Sequence, residues 1–350
     1  MIRPLWWWLL LSLPLFLSAC HNEVKEVPLN THLILVTDKF YDVAALSAEK
    51  AIVVGYGGKI LMTADGGKSW TAKSSGTDVA LYNVKFSDPQ NGWVCGQDGL
   101  ILHTTDGGET WQKQSSGTKL AIFALSFTDR NHGWAVAQQA TYLRTTNGGE
   151  SWEEGHIEAS VEGVSEEATL AMVDPTLYDV QFINEKTGWM VGEFGKIYHS
   201  GDGGMTWQEQ QNSLLGHDGI DDALNLPTWF GVRFANTTEG VAVGLEGKII
   251  KTVDGGKTWA FTAQDLAVIS TDPLYTVRWV GDGKGWIVGA SGRVLQLRDG
   301  EWKPAPLGLR AVAWLRAIDF FDENSGWIVG GYGTILHTTD GGKTWLPSVG

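Results

Sequence analysis

Short runs in which hydrophobic and polar residues alternate recur along the chain and predict β-strands. Residues 81–86 (LYNVKF) form such a run, and a period of two is typical of a strand with one buried face. Residues 92–96 (GWVCG) predict a second strand, and residues 100–104 (LILHT) predict a third after a short glycine-bearing turn. A fourth strand is expected to begin at Trp111.

The fourth strand follows a motif that recurs through the chain. TTDGGKTW at residues 338–345 has six related copies upstream. The acidic or amide residues that open the copies are Asp65, Asp106, Asn147, Asp202, Asp254, Asp299 and Asp340. Their spacings are 41, 41, 55, 52, 45 and 41 residues. Four antiparallel strands every ~40–45 residues is the period of a propeller blade. The sequence therefore predicts an all-β fold, a seven-bladed β-propeller of four-stranded antiparallel blades.

The repeated acidic residue is expected to have a structural role. Its carboxylate can accept backbone N–H groups of its own turn, and the two glycines can adopt positive φ. Asn147 keeps an acceptor oxygen, whereas the sixth copy lacks one glycine (Asp299-Gly300-Glu301-Trp302). A catalytic carboxylate would normally be unique, whereas this residue is repeated seven times. We therefore predict that these residues stabilise hairpin turns by hydrogen bonds, and that the chain has no catalytic residue.

Aligning the first strands of the blades gives a second repeated column. Its members are Tyr41, Tyr82, Phe123, Tyr178, Phe230, Tyr275 and Arg316. Because the innermost strand of a blade lies beside the central channel, Arg316 could mark one asymmetric point on a symmetric scaffold. Alternatively, the aromatic residues pack between blades and Arg316 only fills its place in the column.

Two insertions lengthen the regular period, and both are candidates for partner binding. Residues 153–176 include Glu162, Glu166 and Glu167, and residues 208–228 include Asp218. Both insertions join a fourth strand to a first strand, so they should emerge on the same face of the propeller. Long loops on a rigid scaffold commonly carry binding residues.

Turns between second and third strands should share that face. They add Glu193, Phe194 and Tyr332 to Asp218 as candidate partner-binding residues. Asp218, Asp221 and Asp222 could hold Ca²⁺, but their spacing does not match an EF-hand loop. We therefore predict no metal and no cofactor.

The N-terminus has the pattern of an exported protein. Arg3 precedes an apolar stretch that is too short for a comfortable transmembrane helix, and Leu-Ser-Ala precedes Cys20. This resembles a bacterial lipobox and predicts a signal peptide at 1–19, a linker at 20–28 lipidated at Cys20, and a propeller at 29–350. The other interpretation is an ordinary secretory signal, with Cys20 an incidental thiol.

The expected location follows from that signal. A lipid on Cys20 would tether the protein to a bilayer outside the cytoplasm. That place would be the periplasmic face of the outer membrane in a Gram-negative cell, or the lumenal or thylakoid side in a photosynthetic one. Residues 31–37 could close the propeller ring as a strand, or residues 345–349 could already supply the outer strand of the last blade.

The formal net charge of −14 excludes one class of partner. Nucleic acids and anionic lipid surfaces attract basic proteins, so neither is expected as the main partner. Cys95 is the only cysteine besides Cys20, so no disulfide within the mature chain is expected despite the exported location.

The repeated motif resembles the Asp-box, or BNR repeat, of sialidases and related propellers. Seven copies that combine Gly-Trp-x-Val-Gly, Gly-x-Ile-Leu-x-Thr and the box, after a lipoprotein signal, resemble the Ycf48 family of photosystem II assembly factors, called HCF136 in plants. The resemblance covers essentially the whole mature chain. It implies a non-catalytic scaffold whose partner is a membrane protein complex or one of its subunits. We expect a monomer.

The resemblance also implies an arginine patch on the propeller. The nearest equivalents here are Arg233, Arg278, Arg310 and Arg316, in blades five to seven. These side chains could form a local positive sector that binds the partner. Alternatively, they form salt bridges with carboxylates between the blades, such as Asp319.

The alternative function is a glycan-binding or glycan-hydrolysing, sialidase-like protein. A sialidase would need an Arg-Ile-Pro motif near its N-terminus, and the mature chain has none. Most glycosidases need two positioned carboxylates, and the acidic residues are too numerous for the sequence to select a pair.

Overall fold

The computed structural model describes residues 33–158, 174–216, 225–262, 271–281, 283–305, 307–308 and 313–348. These residues form seven sheets, each with four antiparallel strands in chain order from the axis outward. The prediction of an all-β, seven-bladed propeller is confirmed.

The strands are numbered along the chain, four to a blade. Blades one to three contain β1 (Phe40–Ala45), β2 (Ala51–Gly55), β3 (Ile60–Thr63), β4 (Thr71–Lys73), β5 (Leu81–Phe86), β6 (Gly92–Gly96), β7 (Ile101–Thr104), β8 (Gln112–Gln114), β9 (Ile122–Phe127), β10 (Gly133–Ala137), β11 (Thr141–Thr145) and β12 (Glu153–His156). Blades four and five contain β13 (Leu177–Phe182), β14 (Gly188–Gly192), β15 (Ile197–Ser200), β16 (Gln208–Glu209), β17 (Trp229–Phe234), β18 (Gly240–Gly244), β19 (Ile249–Thr252) and β20 (Ala260–Phe261). Blades six and seven contain β21 (Leu274–Trp279), β22 (Gly285–Gly289), β23 (Val294–Arg298), β24 (Glu301–Pro304), β25 (Leu315–Phe320), β26 (Gly326–Gly330), β27 (Ile335–Thr338) and β28 (Leu346–Pro347).

Short 3₁₀ turns supplement the strands. They are Tyr56–Gly58, Gln97–Gly99, Gln211–Leu214, Leu245–Gly247 and Ala290–Gly292. Four of them join a second strand to a third strand. In the first, Gly58 has a φ of +69°, and an added Cβ would lie 2.0 Å from the carbonyl oxygen of Thr77. Glycine is required there both by the left-handed backbone and by the close approach of the neighbouring loop.

Large aromatic rings join neighbouring blades. Trp93 on β6 is fully buried and stacks on Phe127 of the next blade, with ring centroids 3.6 Å apart. Its Nε1 donates a hydrogen bond to the carbonyl oxygen of Gly148, in the Asp-box of that next blade, at 3.0 Å. Trp134 and Trp189 repeat both contacts at the next two junctions. The periodic tryptophans therefore seal the blade junctions.

Within the described residues, the ring closes without exchange of a strand between its ends. Residues 33–37 form no strand, and β28 is the outer strand of blade seven. Leu33 and Ile34 instead pack against the core between blades seven and one, which contains Phe40 and Trp327. The innermost strands β25 and β1 meet directly there, and Asp319 accepts a hydrogen bond from the backbone N–H of Ala45 at 2.9 Å.

Within the described part of the chain, there is no helix of the length and apolar character needed to span a bilayer.

Candidate functional site: the axial channel and its rim

All seven innermost strands contribute to a cavity on the propeller axis. Its volume is about 50 Å³, which is room for only a few water molecules. The cavity is narrow because bulky side chains project into it from every first strand. It can therefore accept the tip of a side chain or an ion, but not a folded segment.

The residues of the repeated aromatic column all lie at β-bulges. In each first strand the pairing with the second strand shifts register at the second residue, as it does between Phe40 and Asp42 on either side of Tyr41. The same shift occurs in the other six blades. A bulge leaves one residue outside the ladder and redirects its side chain. The seven bulges therefore present one ring of side chains at one mouth of the channel, which we call the aromatic ring.

Six aromatic side chains follow one another around this ring. Successive ring centroids are 5.2–5.7 Å apart, within the usual range for interacting aromatic pairs. The members are Tyr41, Tyr82, Phe123, Tyr178, Phe230 and Tyr275. All six are half-buried, so part of each ring remains accessible at the mouth.

Arg316 completes the ring at the seventh position. Its guanidinium carbon lies 5.1 Å from the ring centroid of Tyr275, a cation–π contact. Thr276 Oγ1 donates to the backbone carbonyl of Arg316 at 2.8 Å and fixes the strand there. Burial lowers the pKa of Arg316 from its ordinary value, while Tyr275 and Asp42 oppose that shift. Because the ordinary pKa of arginine is far above neutral pH, the side chain remains a cation at neutral pH.

Charged side chains that line the channel form pairs that bridge neighbouring blades. Asp42 Oδ2 lies 3.1 Å from Lys85 Nζ and also accepts the backbone N–H of Val84 at 3.0 Å. Asp179 Oδ2 lies 2.5 Å from a guanidinium nitrogen of Arg233 and accepts the backbone N–H of Val232 at 2.9 Å. Each carboxylate thus joins one innermost strand to the next.

Arg278 makes the third pair. Its Nε lies 2.9 Å from Asp319 Oδ1, and its side chain remains 40% exposed. Among the channel cations that the structure describes, Arg316 is therefore the one with no ion pair to a carboxylate. Of the two interpretations of the arginine cluster, Arg233 and Arg278 have the geometry of interblade salt bridges.

Three candidate residues lie outside the described residues. They are Arg310, Asp218 and Cys20. The predictions that concern them stay predictions, as do those for most of the two insertions.

Six of the seven Asp-boxes share one hydrogen-bond pattern. In blade two, Asp106 Oδ1 accepts the backbone N–H of Thr110 at 2.9 Å, and Oδ2 accepts the hydroxyl of Thr110 at 2.6 Å. The Thr104 hydroxyl donates to Asp106 Oδ1 at 2.7 Å and accepts the N–H of Gly108 at 3.0 Å. Asn147 uses Oδ1 in the same way, with Nδ2 donating to the hydroxyl of Ser151. Each pattern lies within its own turn, and in the five aspartate boxes it engages both carboxylate oxygens.

These hydrogen bonds stabilise the charged carboxylates. Hydrogen bonds from Ser69 lower the pKa of Asp65 to about 2, and those from Thr110 and Thr344 do the same for Asp106 and Asp340. The pKa of Asp202 is also about 2, because hydrogen bonds outweigh the opposing effect of burial. Carboxylates held ionised in this way are poor general acids or bases at neutral pH.

Asp299 is the exception. It has a φ of +54° and, among the described residues, accepts no hydrogen bond from its own turn. Its nearest cation is Lys303, at 3.6 Å. In the shortened sixth box, the turn therefore depends on the left-handed backbone conformation of Asp299 rather than on hydrogen bonds to its carboxylate.

The rim beside the aromatic ring contains the predicted turn residues. Glu193 accepts the backbone N–H of Thr176 at 2.7 Å and the hydroxyl of Tyr178 at 3.2 Å. Burial, followed by the Glu193 carboxylate, raises the pKa of Tyr178 to about 12, so this phenol remains a donor. Glu193 therefore supports the aromatic ring from the rim.

Two bulky rim residues adopt a conformation that favours glycine. Phe194 has a φ of +53° and Tyr332 a φ of +55°, a region in which large side chains are uncommon. Tyr332 is 64% exposed, and Tyr56, in the equivalent turn of blade one, is 63% exposed. Trp314, which precedes β25 of blade seven, stacks on Tyr41 of blade one, with centroids 5.8 Å apart. The aromatic surface thus extends from the ring onto the rim at blades seven and one.

One group among the described residues could hold a metal ion. Ligand atoms of Asp129, His132 and Glu185 lie within 4.8 Å of one another. Asp129 also accepts the backbone N–H groups of Asn131 and His132, at 2.6 and 2.9 Å, as Asp88 does in the equivalent turn. This turn role accounts for Asp129 without a metal.

The paired carboxylates Asp42 and Asp179 are site residues that sequence reasoning did not single out. Both occupy the third position of a first strand, next to the aromatic column. Aligning that position as well would have found two acids in a column that otherwise holds small or amide residues. The bulges had no comparable signal, because they depend on pairing between strands.

Comparison with known proteins finds a family model that matches most of the chain. It matches the family described as "Photosynthesis system II assembly factor YCF48" over residues 21–122, 164–260 and 263–348. A 67-residue stretch is 36% identical to "Photosystem II stability/assembly factor HCF136, chloroplastic" of Oryza sativa subsp. japonica. That stretch covers 19% of this chain and only 15% of the rice protein.

Solved structures share the fold at low sequence identity. "YCF48 from Cyanidioschyzon merolae" is 20% identical with a TM-score of 0.67, over 89% of this chain and 97% of that one. "YCF48 bound to D1 peptide" is 21% identical with a TM-score of 0.57, over 77% and 80%. A GH74 xyloglucanase from Xanthomonas campestris is 12% identical with a TM-score of 0.66, over 90% and 55%. At these identities the likeness is evidence for the fold alone.

Proposed function

The chain belongs to the photosystem II assembly factor YCF48 family, and from this premise we propose that it is a non-catalytic scaffold that binds a segment of a membrane protein. The family match favours this role over a glycan-binding or glycan-hydrolysing one. A solved member of the family is bound to a D1 peptide, so the D1 subunit of photosystem II is the first partner to test.

One observation carries the proposal: the single break in the aromatic ring is a cation without an ion-pair partner. Arg316 lies half-buried in the aromatic ring, whereas the other cations that line the channel, Lys85, Arg233 and Arg278, are paired with carboxylates. We call the membrane-protein segment that would bind here the client. A carboxylate of the client, either a chain terminus or an acidic side chain, would pair with Arg316. Hydrogen bonds in which both groups are charged are short and strong.

The surroundings of Arg316 suit the rest of such a segment. The half-buried aromatic ring offers flat apolar surfaces, and Trp314 and Tyr332 extend them across the rim. Aromatic residues and arginine dominate the energetics of protein interfaces. The client segment is therefore expected to be extended, with its carboxylate at the channel mouth and its apolar side chains on the rim.

We also propose that the protein works outside the cytoplasm, as a monomer tethered by lipid at Cys20. The lipobox-like sequence before Cys20 supports this. If so, a Cys20→Ser variant should leave the membrane fraction and fail to incorporate labelled fatty acid. A variant that remains membrane-bound and labelled would remove Cys20 as the anchor.

Binding of a dye-labelled D1 peptide, followed by fluorescence anisotropy, tests the main proposal. The Arg316→Glu variant should bind at least ~10-fold more weakly, because a reversed charge faces the client carboxylate. Arg298→Glu is the matched control, since Arg298 is an exposed arginine on the outer part of blade six.

The possible outcomes distinguish a wrong choice of partner from a wrong choice of binding site. Equal binding by wild type and Arg316→Glu would exclude the channel mouth as the site. Absence of peptide binding by wild type would exclude this D1 segment, and recovery of defined membrane complexes in mild detergent, lost in Arg316→Glu, would then identify a different client. Turnover on a polysaccharide array would overturn the non-catalytic role.

A further inference from the structure

A second cavity lies between blades five and six. Its volume is about 720 Å³, within the ~300–1,000 Å³ typical of ligand pockets. It is lined by turns, by second to fourth strands of the two blades and by Trp279 at the end of β21, and it shares no lining residue with the axial channel. It is therefore distinct from the axial channel and does not depend on the proposed function.

The cavity lies where two departures from the repeat coincide. The second strand of blade five has Val241 where five other blades have tryptophan, and the Asp-box of blade six is the shortened one at Asp299 and Gly300. At other junctions these two features meet, because the tryptophan of one blade packs into the box of the next. Both Val241 and Gly300 line the cavity.

The glycines of the boxes show how tightly the other junctions are filled. A Cβ on Gly342 would lie 2.4 Å from the ring of Trp286, and a Cβ on Gly67 would lie 2.9 Å from Trp327. At the junction of blades one and two, where Ile52 replaces tryptophan, a Cβ on Gly108 would still lie 2.2 Å from Ile52. These three are the second glycines of their boxes; the shortened box of blade six lacks that glycine, and a Cβ on its Gly300, which aligns with the first glycine, would meet nothing within 4 Å.

The walls of the cavity are suited to an aromatic guest. Trp279 and Trp302 form one side, with ring centroids 6.0 Å apart. Trp279 is held in place by a hydrogen bond from its Nε1 to the carbonyl oxygen of Arg233 at 3.1 Å. Val253, which is 70% exposed, adds an apolar side chain to the lining.

Polar groups also line the cavity. Asn236, Glu239, Lys251 and Thr252 supply donors and acceptors beside the apolar walls. Such groups can hydrogen-bond the main chain that carries an aromatic side chain. The volume exceeds what one side chain needs, which leaves space for the flanking peptide.

We propose that this cavity binds a tryptophan side chain presented by an extended segment of a partner protein. The guest indole would occupy the place that Trp93, Trp134 and Trp189 fill at other junctions, where each donates Nε1 to a glycine carbonyl of the next box. By position in the motif, the equivalent glycine is Gly300.

The test uses a defined probe, acetyl-Gly-(5-fluoro-Trp)-Gly amide, observed by ¹⁹F NMR relaxation. Binding is expected in the range of ~0.1–1 mM, with displacement by the unlabelled tryptophan peptide and not by its alanine counterpart. The Val241→Trp variant should fill the cavity from within, weaken binding at least ~10-fold and raise Tm.

A second variant covers the case in which Val241→Trp fails to fold. Val253→Asp changes an exposed side chain and should weaken binding severalfold. Met205→Asp is its matched control, since Met205 is 62% exposed in the Asp-box of blade four.

Three results would overturn the proposal. Equal displacement by the alanine peptide would remove the aromatic specificity. Unchanged binding by folded Val241→Trp would place the probe elsewhere. A dimer of the wild type that Val241→Trp abolishes, without any probe binding, would assign the cavity to contact between two copies of the chain. None of these three results depends on binding of the D1 peptide, so a failure of the proposed function would not change how this test is interpreted.

Discussion

Asp319 of blade seven accepts a hydrogen bond from the backbone N–H of Ala45 in blade one, at 2.9 Å. The two residues are 274 positions apart, and the bond joins the last innermost strand to the first. Blade seven contains β25 to β28, and among the described residues it takes no strand from the N-terminal end of the chain. Ring closure therefore depends on side-chain contacts such as this one and on core packing.

Removal of that carboxylate should weaken the closure. Asp319→Ala leaves the N–H of Ala45 and the guanidinium of Arg278 without their partner. The expected loss is about 1–3 kcal/mol in the free energy of unfolding, measured by chemical denaturation. Asp319→Asn is the matched control, since it keeps an acceptor for Ala45 and should lose less. Equal losses in the two variants would show that the charge pair with Arg278, rather than the backbone contact, is what matters.

The Asp-boxes predict a specific dependence of stability on pH. The pKa of Asp106 in the folded protein is about 2, against an ordinary value of 3.8. A pKa lowered by folding contributes stability that is present above the ordinary pKa and is lost as pH falls through the folded one. Because Asp65, Asp202 and Asp340 are shifted in the same direction, stability should fall steeply between pH ~4 and ~2.

Single-box variants can isolate one of these carboxylates. Asp106→Asn should fold, since Asn147 serves the same turn in blade three, and its stability should fall less between pH ~4 and ~2 than that of wild type. Denaturation curves at several pH values make the comparison. If the stability of Asp106→Asn fell with pH as much as that of wild type, the Asp-box carboxylate would not be a source of this pH dependence.

The sequence predicted the scaffold well because the scaffold is repetitive. The seven blades and the turn motif follow from local patterns that each copy restates, as at Asp65 and Asp106. The channel is different, because its properties depend on contacts between blades. The sequence left the pairing of Arg278 open between two alternatives, since Asp319 is 41 residues away along the chain.

The same distinction explains what sequence reasoning missed. The bulge at Tyr41 depends on a register shift against β2, and no single strand reveals it. The cavity between blades five and six arises because the change at Val241 and the change at Gly300 meet in space. Each was visible as a break in the repeat, but only the fold shows that they face each other.

Two equally buried tryptophans allow the interblade hydrogen bond to be measured. Trp93 and Trp327 are both fully buried on second strands, but Trp93 Nε1 donates to Gly148 whereas Trp327 Nε1 has no partner among the described residues. Trp→Phe removes a similar apolar area at each position. Trp93→Phe should therefore cost about 0.5–1.5 kcal/mol more than Trp327→Phe in the free energy of unfolding. Equal costs would mean that this hydrogen bond adds nothing net.

The strained turn at Tyr332 provides a test that separates function from stability. Its φ of +55° and its 64% exposure indicate an aromatic side chain held at the rim at some cost in backbone strain. Tyr332→Gly should stabilise the fold by up to ~1–2 kcal/mol, less the entropy that glycine gains in the unfolded chain, while it weakens binding of the D1 peptide. The adjacent Gly333 is the contrasting position, because an added Cβ would lie 2.4 Å from the carbonyl oxygen of Leu35. Gly333→Ala should therefore destabilise the fold. A Tyr332→Gly protein that is less stable and binds as wild type does would assign this tyrosine to folding and remove it from the client surface.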